Sequence, residues 1–102
     1  MKVYIAGPIT NSPNYKAEFK KRESDLKSMG FTVINPALEG ERLKSMKHRE
    51  PTYEEYMNFL LPKLLDCTHI SMLDGWQKSR GAKFEHDLAV ITGKTFVDLF
   101  ML

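Results

Sequence analysis

The residues best suited to chemistry lie in the stretch LDGWQKSRGAKFE, positions 73–85. Its acidic end is anomalous. Drawn as a helix at about 100° per residue, Ala82, Phe84, Leu88, Ala89 and Ile91 share one broad side, while Lys83, His86 and Asp87 fall opposite, with Val90 an exception among them. Glu85 falls inside the apolar arc. A carboxylate there is costly unless something satisfies it. Two readings are open. Glu85 sits at the edge of the arc and pairs with a surface lysine, or it is a functional carboxylate of the kind that gathers at active sites. The residues before it suit an anion. Asp74-Gly75 signals a turn. Ser79 is a good helix N-cap, since its hydroxyl can accept from free N–H groups of the first turn. Gly81 lets a ligand approach the backbone, and a helix N-terminus favours negative charge. Trp76, the only tryptophan, either packs under the loop or offers a face for stacking a base or sugar.

These residues need a scaffold, and composition limits it. At 102 residues the chain is one domain, 1–102, and 42% hydrophobic content is enough for a single core. A net charge of +2, with Lys and Arg scattered, does not indicate a nucleic-acid polymer as partner, but suits a phosphate-bearing small ligand. The lone Cys67 excludes an internal disulfide and fits a reducing compartment. The apolar part of MKVYIAGP is too short for a signal peptide, and no apolar run approaches the ~20 residues needed to cross a bilayer. A cytoplasmic protein without a membrane partner is expected.

Residues 2–6 form an apolar run closed by Gly7-Pro8, which reads as a central strand. After a loop, Ser12-Pro13 opens a helix carrying Tyr15, Phe19, Arg22, Glu23, Leu26 and Met29 at steps of three and four, stopped by Gly30. Residues 31–34 are a second strand ended by Asn35-Pro36. The polar stretch 38–51 lacks periodicity and reads as a long loop. Its run Lys44, Lys47, His48, Arg49 could attract a phosphate, although a solvated loop is favoured. Thr52 with Glu55 makes a capping box for a helix through Tyr53, Tyr56, Phe59, Leu60, Leu64 and Leu65, kinked at Pro62. Residues 68–73 are a third strand. The last helix runs from Ser79 to Gly93, and residues 94–100 are a last strand. This alternation predicts an α/β fold, a small parallel sheet with helices on both faces. Ligands then bind beyond the carboxyl ends of the strands, where the Gly7 loop, the Asn35 loop and residues 74–79 arrive.

No metal site or cofactor motif is expected. His48, His69 and His86 lack ligand spacing, and neither a phosphate-binding nor a dinucleotide glycine signature occurs. His69 reads as a core histidine and Cys67 as a packed thiol.

MKVYIAGPIT, a second strand closing on Asn-Pro, a capped helix and then CTHISMLDGWQKSRGAKFE together resemble the nucleoside 2-deoxyribosyltransferase superfamily, in particular its short phage and bacterial branch of unknown-function proteins. The resemblance covers nearly the whole chain. It implies a flavodoxin/Rossmann-like three-layer sandwich and cleavage of an N-glycosidic bond. Glu85 matches the nucleophile that attacks the anomeric carbon of a deoxyribose, as in retaining glycosidases, with the helix dipole favouring its charged form. Tyr4 matches a tyrosine that hydrogen-bonds this carboxylate. Ser79 and Gly81 match phosphate-binding positions of deoxynucleoside 5′-monophosphate hydrolases, and Ile9 matches a residue that packs on the base. The superfamily aspartate that handles the leaving base falls on Leu60, with Asp66 or Asp74 as possible stand-ins. Relatives continue past the last strand into a segment that closes the neighbouring subunit's site, whereas this sequence ends at Leu102. The resemblance implies a nucleotide or nucleoside ligand and a homodimer or higher homo-oligomer, to which the Tyr53, Tyr56, Phe59 face would contribute. A non-catalytic binder, for example of an ADP-ribose-like signal, is the main alternative, and an interaction module the third.

Overall fold

The computed structural model describes residues 1–97. In chain order the elements are β1 (Lys2–Ala6), α1 (Tyr15–Ser28), β2 (Thr32–Ile34), α2 (Pro36–Lys47), α3 (Tyr53–Leu65), β3 (His69–Met72), a short 3₁₀ turn (Trp76–Lys78), α4 (Arg80–Ile91) and β4 (Thr95–Phe96). Among the described residues the strands form one four-stranded sheet, order β2-β1-β3-β4, with every pairing parallel. The fold is therefore the expected α/β three-layer sandwich of the flavodoxin/Rossmann-like kind. Of the expected last strand, Thr95–Phe96 is formed, and positions 98–100 lie outside the described residues.

A central parallel strand is buried on both faces, and Val3, Tyr4, Ile5 and Ala6 are all 0% exposed. Alternation sends Val3 and Ile5 to one core, with Phe19 and Leu26 of α1. Tyr4 and Ala6 go to the other, with Leu64 of α3, Ile70 of β3 and Ala89 of α4. Full burial of the Val, Ile, Leu and Phe side chains among them stabilises by roughly 1.5–3 kcal/mol each. The same alternation puts the Tyr4 ring on the face that α4 covers.

One expectation fails. Residues 38–51 are not a loop: most of the stretch is the helix α2. Asn35 caps it, with Oδ1 accepting from the Ala37 N–H at 3.0 Å, and Pro36 fills the first helical position, where its missing N–H costs nothing. Only Pro36, Ala37 and Leu43 of α2 are buried, while Leu38 and Met46 are exposed. The helix therefore has no apolar stripe for periodicity to detect. The capping box of α3 is formed, and the helix continues through Pro62.

The strand order reverses at β1, which has β2 on one side and β3 on the other. Such a switch point opens a crevice between the diverging loops. A Cβ at Gly7 would stand 2.7 Å from the Leu73 Cβ, so only glycine lets the chain leaving β1 pass the end of β3 so closely.

Candidate active site

The crevice is a cleft of about 260 Å³ at the carboxyl edge of the sheet. Gly7, Ile9 and Thr10 come to it from the loop after β1, Tyr15 and Phe19 from α1, and Tyr53, Tyr56 and Leu60 from α3. The start of α4 contributes Ser79, Gly81, Ala82 and Glu85, and α2 contributes Ala37, Gly40, Glu41 and Lys44.

Glu85 is the buried acid of this cleft, 6% exposed. The buried stripe of α4 is Ala82, Glu85 and Ala89, at steps of three and four. Phe84 and Ile91, drawn on the core side by the helical wheel, are exposed instead. Glu85 thus occupies the middle of the buried face rather than its edge. Its partner is not a surface lysine. The Tyr4 hydroxyl donates to Glu85 Oε2. Burial raises the Glu85 carboxyl to about 7, against the opposing effect of the Tyr4 hydrogen bond. Burial also raises the Tyr4 phenol well above its ordinary value, and the Glu85 charge adds to this. The bridging proton therefore stays on Tyr4. The expected help from the helix dipole is outweighed. Glu85 lies in the second turn of a helix starting at Arg80, and the dipole effect falls off within the first turn. Near neutral pH the carboxyl is divided between its charged and neutral forms.

The start of α4 has the expected cap. Ser79 is extended, and its Oγ accepts from the Ala82 N–H at 3.3 Å. The N–H groups of the first turn ahead of Ala82 have no acceptor within the helix. A Cβ at Gly81 would meet the Tyr53 ring only at ordinary contact distance, 3.7–3.8 Å, so packing does not require glycine there. The Arg80 guanidinium lies over the Tyr53 ring, 4.6 Å from its centroid.

Of the residues singled out from sequence, Glu85, Gly7, Ile9, Ser79 and Gly81 line the cleft, and Tyr4 reaches it through Glu85. Asn35, Asp74 and Trp76 do not line it. Asn35 is buried as the cap of α2, and its Nδ2 donates to Glu23 Oε1 at 2.9 Å. Asp74 is exposed on its turn. Trp76 stacks on His86, centroids 4.1 Å apart at 15°, so the ring pins the 3₁₀ turn against α4. Leu60 is buried in the cleft wall. Asp66 pairs with Lys2 at 2.6 Å at the opposite, amino end of the sheet.

The cleft residues that sequence reasoning missed belong mainly to α2 and the segment after it. Glu50 lines the cleft, accepts from the Tyr56 hydroxyl at 2.9 Å and lies 3.4 Å from Lys44 Nζ. Burial first, and then Glu50, raises the Tyr56 phenol to about 12. A Cβ at Gly40 would stand 3.2 Å from the Tyr56 ring, so this glycine lets the ring lie against α2. The signal that could have revealed α2 was Asn35-Pro36, which is a cap and a first-turn proline as much as a strand end. Two others of the basic run are engaged elsewhere: Lys47 and Arg49 both pair with Glu55, at 2.9 and 2.8 Å. Cys67 is packed in the core, and burial raises its thiol to about 11. Among the described residues no group of three or more His, Cys, Asp and Glu side chains is placed to hold a metal ion, and no helix is long and apolar enough to cross a membrane.

Fold and site define an all-parallel α/β domain with a buried, tyrosine-bonded glutamate in an aromatic-walled cleft at its sheet switch point. The chain belongs to the family described as a domain of unknown function (DUF4406), whose model matches residues 1–98. No curated protein and no solved structure matches it.

Proposed function

We propose that the protein handles nucleotides, cleaving or exchanging the N-glycosidic bond of a deoxynucleoside 5′-monophosphate with Glu85 as nucleophile. The observation that carries this reading is the placement of Glu85, buried in the cleft with one oxygen held by the Tyr4 hydroxyl. The charged form of Glu85 attacks the anomeric carbon, and the base departs. Water or a second base then releases the sugar from the covalent intermediate. Tyr4 orients the carboxylate. Ser79 and the uncapped N–H groups beside Gly81 receive the phosphate, and Ile9 and the cleft tyrosines pack on the base. Exposed Phe84, Val90 and Ile91 of α4 support a homodimer, and the lone buried Cys67 fits a reducing cytoplasm.

The test is chromatography of the common deoxynucleoside monophosphates after incubation with wild type and Glu85→Ala. Base release by wild type alone is expected, and no release from any of them would refute the enzymatic reading.

A second reading, a nucleotide binder without turnover, is favoured by Leu60, an apolar side chain where the resemblance calls for an acid. Calorimetry distinguishes it: tight binding with the nucleotide recovered intact would establish the binder.

A further inference from the structure

We infer that Lys44, on the α2 wall of the cleft, is the leaving-group acid that meets the departing base. The inference rests on the nucleotide-cleaving reading above. Cleavage of an N-glycosidic bond leaves electrons on a base nitrogen, and something must meet them. Leu60 offers no proton, Asp66 is tied to Lys2 at the far end of the sheet, and Asp74 lies outside the cleft. Among the described residues that line the cleft, Lys44 is the one cation.

Its position follows from α2. Pro36, Ala37, Gly40, Glu41 and Lys44 all line the cleft, at the spacing of one helical face. Gly40, one turn before Lys44, brings that face against the Tyr56 ring. Glu50 lies beside the lysine. It accepts from the Tyr56 hydroxyl at 2.9 Å and lies 3.4 Å from Lys44 Nζ. At that length the ion pair is loose, and an ammonium has three N–H groups, so donors remain for a ligand. The backbone on either side of Glu50 is held by its neighbours, and the Arg49 guanidinium donates to the Glu50 carbonyl at 3.3 Å. Thr52 caps α3, and Arg49 is bidentate on Glu55, with both contacts at 2.8 Å. Glu50 and Tyr56 are positioning residues, and Lys44 is the group that touches the base.

The step balances. Lys44 gives a proton to a ring nitrogen of the base as the C1′–N bond breaks with its electron pair remaining on the base, and a Glu85 oxygen bonds to C1′. Water then adds to C1′, Glu85 departs as carboxylate, and the water's proton returns to the neutral Lys44 amine.

The experiment compares wild type, Lys44→Gln and Lys44→Arg on a deoxyguanosine monophosphate and on its N7-methylated analogue, whose base is already cationic and leaves without a proton. Each is also run as the free nucleoside. Lys44→Gln is expected to lose about 10²–10⁴-fold in kcat on the ordinary nucleotide, the usual range for a general acid, and little on the methylated one. Lys44→Arg is expected to fall between. Equal losses on both bases, no loss, or a loss confined to KM and to the phosphorylated substrates would overturn the assignment, the last by making Lys44 a phosphate ligand. If wild type releases no base even from the methylated nucleotide, the nucleotide-cleaving reading fails and takes this inference with it.

Discussion

The Tyr4 hydroxyl and Glu85 Oε2 meet across 81 positions of sequence, one brought by the central strand and the other by the second turn of α4. The bond opposes the effect of burial on the carboxyl. Its loss in Tyr4→Phe should move the Glu85 pKa upward from about 7. A hydrogen bond to a charged group contributes roughly 1.5–3 kcal/mol, which is about one to two pH units. The rising limb of a pH–rate profile for base release should shift to alkaline pH by that amount. An unmoved limb would mean that Tyr4 does not tune Glu85.

Stability should carry the same signature. The folded carboxyl keeps its proton up to about pH 7, whereas its ordinary value is 4.5. Between those values the folded state binds more protons than the unfolded chain, so this group's contribution falls as pH rises through about 7. Glu85→Gln removes the charge that must be buried above that range. Melting curves should show the variant more stable than wild type at pH 8, by at most roughly 3 kcal/mol, with the gap closing near pH 5. A gap independent of pH would show that Glu85 is not the group titrating.

Two cleft glycines should separate folding from binding. Gly7→Ala forces a methyl to within 2.7 Å of Leu73 and should destabilise by about 1–3 kcal/mol through overpacking. Gly81→Ala meets nothing closer than 3.7 Å and gains helix propensity of up to about 1 kcal/mol. It should melt at or above wild type yet bind deoxynucleoside monophosphates more weakly in calorimetry. Unchanged affinity would remove the phosphate from that helix start.

Much of this was legible in the sequence, for identifiable reasons. The strand and turn signals gave the layers and the three loops that arrive at the sheet's carboxyl edge, but not the strand order. Glu85 stood out because an acid within an apolar arc is a local contradiction, and Ser79 because a cap is a property of a few adjacent residues. What was not legible depended on tertiary partners. Trp76 reads equally well as a stacking platform until His86 is found covering its face. The tuning of Glu85 could not be seen, because burial is a property of the assembled core. The α2 helix was hidden because it sits at the rim with few buried side chains, so capping and ion pairs such as Arg42–Glu39 hold it without an apolar stripe. Without that helix Gly40 could not be placed at the site, and Lys44 stood only as one member of a basic run, not as a cleft residue apart from Lys47 and Arg49.

Covalent trapping tests the central claim most directly. A 2′-fluorinated deoxynucleoside monophosphate slows release of the sugar from the enzyme, so the intermediate accumulates and can be located by peptide mass spectrometry after denaturation. The prediction is a sugar-phosphate adduct on the peptide containing Glu85, formed as free base appears, and absent from Glu85→Gln. Base release with an adduct on another residue, or an adduct that persists in the Glu85→Gln protein, would contradict it.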